Sequence, residues 1–442
     1  MRDVCAPVVV NRRIADVPPC GVRGRIGRQS HGSCIGTVSR RNEAFSRRWF
    51  WAALVGAVVL ALLCPVQAHA AALSSDLVDG SSAVNRHLDL AALPDVSMRE
   101  GELLDGDGRV LWARAPGVRM PMASITKIMT AIVALEHSRL DDVVTVPREA
   151  VAVGQSSAGL VVGERLTMRE LLEALLIKSG NDAAVTIAIH VGGTQPSFVA
   201  MMNDKAQALG LNDTHYMNPH GLDAPGHYTT ANDLAVLARY AMSKPAFRDI
   251  VRLRTVTIGQ GKHREKLVST DLLLGTYQGA IGVKTGNTNG AGYSVVSAAQ
   301  RGGVTLYAIV LGTKSDRDRF TQAKALLDWG FAHYRPMQLG TRGTVVAETP
   351  VSSYLDVNVP VAFSADTTVP ILDLNGTVKR TISVAPVPAP VEQGQQVGVA
   401  TFKQGGKVIA TVPLGATVEV GRPNPFEAAW IVAVRLWRRI FG

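Results

Sequence analysis

The sequence predicts an α+β fold, and three observations predict it. Apolar residues recur at helical spacing between residues 121 and 242, two β-branched strand runs joined by a Gly-rich turn follow, and an amphipathic helix comes after them. Helices, then antiparallel strands, then a helix describe helices packed on a sheet. From about residue 341 short Val/Thr-rich runs predict a small all-β domain, and residues 422–442 read as a C-terminal amphipathic helix. The chain has 442 residues, 47% of them hydrophobic and 19% charged, which suffices for at least one sizeable core.

The charge is unevenly placed. The formal net charge is +10, but residues 1–70 hold ten arginines against three acids, and the rest of the chain carries 36 basic and 33 acidic residues. A nucleic-acid partner is therefore not expected. Cys5, Cys20, Cys34 and Cys64 all precede residue 70, so no disulfide or Cys-ligated metal is expected beyond it. Arg40, Arg41, Arg47 and Arg48 lead into an apolar run, Trp49 to Cys64, and then Pro65-Val66-Gln67-Ala68-His69-Ala70. That order describes a secretory signal cleaved after Ala70. The apolar run is shorter than the roughly 20 residues a span requires. Residues 1–70 are thus expected to be an extension and removable signal, and the remainder to work outside the cytoplasm.

The elements follow in order. Pro121 to Ser138 carries Ile125, Ile128, Met129, Ile132, Val133 and Leu135 on one helical face. Thr167-Met168-Arg169-Glu170 is a capping box opening a helix over Leu171 to Lys178, which gives Glu170 a structural task. Asp182 to Val191 is an Ala/Ile-rich buried segment. Pro196 to Leu209 is a helix closed by Gly210, and Thr230 caps another through Met242. Tyr293 to Ala299 and Val304 to Leu311 are strands, and Ser315 to Tyr334 is the last helix of a domain expected to span 71–340. In 341–421, Val345–Glu348, Val357–Phe363, Val369–Leu374, Thr377–Ser383, Gln396–Phe402 and Val408–Pro413 are expected strands. In the tail, Phe426, Trp430, Val434, Trp437 and Phe441 share a stripe, interleaved with Arg435, Arg438 and Arg439. That pattern suits a helix lying on an anionic membrane surface.

Three short motifs carry chemistry. In Ser124-Ile125-Thr126-Lys127 the serine and lysine are helical neighbours, so a neutral Lys127 could take the Ser124 proton. Burial and a second nearby cation would both favour the neutral amine. Ser179-Gly180-Asn181 places a hydroxyl and a carboxamide on one side of a turn. The hydroxyl could relay protons, and the amide could hold the lysine and a substrate carbonyl. Lys284-Thr285-Gly286 sits on an expected strand, where Lys284 and Thr285 suit a carboxylate and Gly286 leaves room for a substrate to approach. Each tripeptide or tetrapeptide alone is unspecific. Together they occur once each beyond residue 70, in the order Ser-x-x-Lys, Ser-x-Asn, Lys-Thr-Gly, a combination that marks β-lactamases and penicillin-binding proteins.

On these motifs the sequence resembles the low-molecular-mass penicillin-binding proteins that are D-alanyl-D-alanine carboxypeptidases. Pro121 to Lys127, Lys178 to Ala184, Asn218 to Asp223, His227 to Asp233, Gly282 to Thr288 and Ala291-Gly292-Tyr293 all look like blocks of that family. The resemblance is strong over about residues 85–335 and looser beyond. It implies a β-lactamase/DD-peptidase-like domain, then the small all-β domain and the membrane-association helix. It implies Ser124 as the acylated nucleophile and Lys127 as its base, Ser179 and Asn181 as proton relay and positioning groups, and Lys284 and Thr285 as the carboxylate site. The backbone N–H groups of Ser124 and Asn287 would form the oxyanion hole. The implied substrate is a peptidoglycan stem peptide ending in D-Ala-D-Ala, β-lactams would acylate Ser124, and no cofactor or metal is required. One departure stands out: Ser269-Thr270-Asp271 replaces the family's usual Asn-Thr-Asn.

Histidine catalysis is not expected, because Ser124 already has a base in Lys127 and no His-x-x-x-His pair exists; His220 reads as a turn residue near the cleft. The sequence leaves open a DD-endopeptidase, a β-lactamase and an inert penicillin-binding scaffold.

Overall fold

A computed structural model describes residues 75–441, and the signal expected within residues 1–70 lies outside the described residues. Seven strands form the central antiparallel sheet: β1 (Leu77–Val78), β2 (Ser81–Ser82), β3 (Glu100–Asp105), β4 (Val110–Arg114), β5 (Ala280–Thr288), β6 (Gly292–Arg301) and β7 (Val304–Thr313). Their spatial order is β2-β1-β4-β3-β7-β6-β5, which leaves β5 at an edge.

Both faces of this sheet are covered, which explains why β6 and β7 read as continuous apolar runs rather than alternating ones. One face carries α1 (Lys127–His137), α2 (Met168–Leu176), α3 (Asn181–Gly192), α4 (Gln195–Ala208) and α5 (Ala231–Ser243). Leu104, Val296, Ala298 and Ile309 of the sheet join their core. The other face carries α6 (Asp316–Ala332), whose Phe320, Ala323, Leu326 and Leu327 meet Leu103, Trp112, Val295 and Val310. The α+β architecture expected from the sequence is the one observed.

The local signals act as their chemistry demands. Thr167 Oγ1 accepts from the Glu170 N–H while Glu170 Oε2 accepts from the Thr167 N–H at 2.8 Å, so the capping box is made in full. The helix starts at Met168, earlier than expected, because Thr167 is its N-cap, and it stops at Leu176 ahead of Ser179, which turns into the left-handed region at φ +66°. Likewise the helix expected from Pro121 begins as a 3-10 turn over Ala123–Thr126 and becomes α-helical only at Lys127.

Beyond α6 come β8 (Tyr334–Gly340), β9 (Val345–Pro350), β10 (Asn358–Phe363), β11 (Thr367–Leu372), β12 (Lys379–Val384), β13 (Gln396–Gln404) and β14 (Lys407–Ala416). Five of them form a sheet in the order β9-β10-β14-β13-β12, and β8 pairs with β11. Their core is built from Val359, Val361, Phe363, Ala400, Phe402, Val412 and Leu414. Strand β8 was not expected. The preceding helix ends at Ala332 rather than Tyr334, Pro336 cannot extend a helix, and pairing with the later strands starts ahead of residue 341.

The last helix is α7 (Pro425–Phe441). Ile431 is buried, Val434 is half-buried, and the Arg435 guanidinium donates to the Ser352 and Tyr354 carbonyls. Arg435 therefore faces the β domain, whereas the sequence reading had it outward. Phe426, Trp430, Trp437 and Phe441 stay between 64% and 88% exposed. Among the described residues, no helix is long and apolar enough to cross a membrane.

Candidate active site

Ser124 lies half-buried in the 3-10 turn that leads into α1, and Lys127 is the first residue of that helix. The turn is held in an unusual shape. Ala123 sits at φ +49°, and Gly221 at φ +92° packs so tightly on it that a Cβ there would lie 2.0 Å from the Ala123 carbonyl oxygen. Left-handed non-Gly residues cost about 1–2 kcal/mol each, and such strain collects at reacting sites. A second fastening is His227. Its Nδ1 accepts from the Met217 N–H at 3.0 Å, so Nε2 carries the proton and donates to Thr126 Oγ1 at 2.8 Å, while the Thr126 hydroxyl donates to the Ala123 carbonyl. Burial pushes His227 down to about 4, which keeps it neutral in this role.

Lys127 is fully buried, and its Nζ has three neighbours: Ser124 Oγ at 2.8 Å, Asn181 Oδ1 at 2.7 Å and the His220 carbonyl at 2.7 Å. The last two can only accept. A neutral amine has two N–H bonds for them and one lone pair, and that lone pair then faces the Ser124 hydroxyl. Burial holds the Lys127 amine well below the usual lysine range; the Lys284 charge pushes the same way, and Asp182 opposes. The neutral, basic form is therefore the one the site favours.

Ser179 and Asn181 flank the turn between α2 and α3. Asn181 Nδ2 donates to the Gly154 carbonyl at 3.1 Å, so the amide spans from Lys127 to the neighbouring 152–163 loop. Asp182 fastens that loop by accepting from Ser157 Oγ at 2.6 Å and from the N–H groups of Ala158 and Leu160. Ser179 Oγ accepts from Lys284 Nζ at 2.9 Å, which joins the second motif to the third.

Lys284, Thr285 and Gly286 lie on the edge strand β5, with Asn287 exposed near its end. Thr285 Oγ1 is 2.7 Å from Thr270 Oγ1. Lys284 Nζ also donates to its neighbour's carbonyl, that of Thr285, at 2.9 Å. Burial and the nearby Arg319 bring Lys284 down to about 7, with Asp271 acting against them. Gly286 also fits against the nucleophile's turn. A Cβ there would lie 3.1 Å from Ala123 Cβ, Ile125 Cγ1 and the Met122 carbonyl, so the missing side chain admits that turn. This close approach sets the Lys-Thr-Gly strand against Ser124.

Sequence reasoning missed several contributors. The His220 carbonyl acts through the backbone, which a sequence motif does not display. The His220 ring, pushed down to about 3 by burial and by Lys127, is neutral and accepts from the Leu222 N–H at 3.2 Å. Arg319 of α6 reaches beneath the strand and donates to the Gly286 carbonyl at 2.9 Å. Asp271 is buried, accepts from the Leu273 N–H at 2.9 Å, and its Oδ2 has no hydrogen-bond partner among the described residues; burial raises it to about 6. Its position inside the family block was the available signal.

A serine whose hydroxyl faces a buried, uncharged lysine, set against an edge strand bearing a second buried lysine, defines a serine acyl-transfer site of the penicillin-binding type. Sequence profiles agree: the D-alanyl-D-alanine carboxypeptidase profile matches residues 94–315, and that of the penicillin-binding protein 5 C-terminal domain matches 334–422. The D-alanyl-D-alanine carboxypeptidase DacC of Escherichia coli is 31% identical over 79% of this chain and 90% of its own length. DacF of Bacillus subtilis is 31% identical over 70% of this chain and 82% of its own. Penicillin binding protein 5 from Haemophilus influenzae superposes with a TM-score of 0.54 at 28% identity, covering 74% of this chain and 99% of that one. The Streptomyces K15 DD-transpeptidase superposes with a TM-score of 0.52 at 34% identity, covering 54% and 99%. The chain belongs to the D-alanyl-D-alanine carboxypeptidase family.

Proposed function

We propose that Ser124 is the acylated nucleophile of a serine-type D-alanyl-D-alanine carboxypeptidase that trims peptidoglycan stem pentapeptides. The observation that carries this is the Lys127 amine, buried and 2.8 Å from Ser124 Oγ with two other acceptors for its N–H bonds. Ser124 Oγ attacks the carbonyl of the penultimate D-alanine as its proton passes to Lys127 Nζ. The oxyanion is met by the backbone N–H groups of Ser124 and Asn287. Collapse breaks the peptide bond, and the leaving amine takes a proton through Ser179, whose hydroxyl contacts Lys284. Water then attacks the ester and the shortened peptide leaves. The Lys284 ammonium and the Thr285 hydroxyl receive the terminal carboxylate, and Asn181 holds Lys127 and the substrate backbone. A β-lactam meets the same serine: its ring amide opens on Ser124 and the resulting ester persists.

The exposed aromatics of α7 support attachment to the outer face of the cytoplasmic membrane, with Arg438 and Arg439 beside anionic headgroups. The Arg-rich, then apolar order within residues 1–70, which reads as a secretory signal, points to the same location.

The test is release of free D-alanine from a soluble pentapeptide, together with intact mass after penicillin treatment. The expected result is stoichiometric trimming of pentapeptide to tetrapeptide and one penicillin adduct on the fragment carrying Ser124. No release, or an adduct elsewhere, would overturn the reading. An amine acceptor in place of water would make the same acyl-enzyme a transpeptidase, the activity named for the Streptomyces relative; including glycine amide in the assay separates the two by the product's mass.

A further inference from the structure

Beneath the Lys-Thr-Gly strand lies a cation whose place the fold alone does not explain. Arg319 of α6 is 7% exposed, and its Nε has no hydrogen-bond partner among the described residues. Enclosing a guanidinium with an unmatched donor costs stability. What it holds is one peptide unit. Arg319 Nη1 donates to the Gly286 carbonyl at 2.9 Å and to the Ser294 carbonyl at 3.3 Å. Gly286 of β5 and Ser294 of β6 are cross-strand partners, and one nitrogen reaches both carbonyls only if each points toward the other strand. The Gly286 carbonyl therefore faces β6. The Asn287 N–H belongs to the same planar trans peptide, in which C=O and N–H point in opposite directions. It is thereby aimed away from the sheet, at the open edge that β5 forms.

A second fastening acts from the other side of Asn287. Thr288 Oγ1 donates to Asp223 Oδ1 at 2.7 Å, and the Gly290 N–H donates to Asp223 Oδ2 at 2.9 Å. A Cβ at Gly290 would lie 3.0 Å from Asp223 Oδ2, so the glycine lets the carboxylate approach. The segment carrying Asp223 is itself fixed to α1. Thr130 Oγ1 donates to the Pro219 carbonyl at 2.6 Å, and Lys127 Nζ donates to the His220 carbonyl at 2.7 Å. Asn218 stiffens the segment, accepting from the Gly221 N–H at 2.6 Å and donating to the Leu222 carbonyl at 2.9 Å. Asp223 thus ties the end of β5 to the helix that begins beside Ser124.

We propose that Arg319 and Asp223 are positioning residues of the oxyanion hole, fixing the Asn287 N–H from its two sides. This rests on the reading of the Ser124 and Asn287 N–H groups as that hole. Arg319 sets the direction of the Asn287 N–H, and its charged hydrogen bond to the carbonyl of the same peptide strengthens that N–H as a donor. Asp223 sets how far the Asn287 N–H stands from that of Ser124. Both act through the backbone and neither takes part in proton transfer.

The test is the carbonyl stretch of the ester that penicillin, labelled with carbon-13 at its ring carbonyl, forms with the full chain. Difference infrared spectroscopy reads it, alongside kcat and KM for a soluble pentapeptide. Work at about pH 6 keeps Lys284, brought down to about 7, in its charged form. Donors on a carbonyl oxygen lower its stretch, so Arg319→Met and Asp223→Ala are each expected to move the band to higher wavenumber. In each, kcat is expected to fall by about tenfold, less than the hundredfold or more lost when a donor is removed outright, with KM unchanged. Asp223 is exposed, so its variant reads the hole even if loss of the buried Arg319 impairs folding. An unmoved band in either folded variant would overturn the proposal. So would a raised KM at unchanged kcat, which would assign the residue to carboxylate binding. A wild type that forms no adduct on Ser124 would sink the catalytic reading itself, whereas a wild-type band that both variants leave in place fails this inference alone.

Discussion

At the scale of single residues, the site works by setting charges against burial. Lys127 and Lys284 are both enclosed and each is pushed below the ordinary lysine range, but they are placed for opposite states. Lys127 has two obligate acceptors and is useful neutral. Lys284 is useful charged, and the group that favours its charge is Asp271, opposing burial and Arg319. Replacing that carboxylate with an amide removes the support, so Lys284 loses its proton at lower pH. For Asp271→Asn, the account predicts that the alkaline limb of the kcat/KM profile, which reports the free enzyme, moves to lower pH while kcat changes less. An unshifted limb would remove Asp271 from the carboxylate site. The serine, lysine and asparagine positions were legible in the sequence because side chains at fixed spacing carry them. The His220 carbonyl and the tight fit of Gly286 against Ala123 were not, since backbone atoms and close approach between distant segments leave no pattern in a linear string.

At the scale of elements, the strands and helices that announced themselves did so through caps, turns and periodicity. The capping box at Thr167, the Thr230 cap on α5 and the turn between β6 and β7 all fall where their chemistry places them. Strands β3 and β4 gave no comparable signal. Strand β3 contains Glu100 and Glu102 among its buried positions, and charged residues are not what a sheet interior advertises. Both carboxyls are enclosed, each with an Oε2 that lacks a partner among the described residues, and burial raises Glu100 to about 8 and Glu102 to about 7. The sign follows from linkage. The folded chain holds these protons where the unfolded chain has released them, so stability falls as pH rises from the ordinary carboxylate range through the folded values, and is flat above them. Glu102→Gln should therefore raise the melting temperature at pH 8 by roughly a few degrees and change it little at pH 4.5. Thermal unfolding at the two pH values checks this, and a pH-independent effect would contradict it.

At the scale of the whole molecule, the serine site stands apart from the C-terminal elements. The serine site sits between the helical layer and the edge of the seven-stranded sheet, while the β domain and α7 contribute no residue to it. Deleting residues 425–442 is expected to release the protein from membrane vesicles while leaving pentapeptide trimming within about twofold, as loss of an interfacial helix implies. Flotation with vesicles and D-alanine release measure the two effects separately, and unchanged flotation would deny α7 its role. The tail's aromatic stripe was readable because amphipathicity is a property of local sequence. That Arg435 turns back onto the β domain was not, because the carbonyls that receive it belong to Ser352 and Tyr354, far away along the chain.

The proton transfer from Ser124 to Lys127 is tested most directly by the pre-steady-state rate at which a fluorescent penicillin acylates Ser124, measured against pH. In the wild type the rate should rise with deprotonation of a group well below the ordinary lysine range and be flat through neutrality. In Lys127→Ala it should fall by about a thousandfold or more, within the range expected when an activating base is lost. A wild-type rate that climbs only towards the ordinary lysine range, or a Lys127→Ala variant that is acylated at the wild-type rate, would contradict the account.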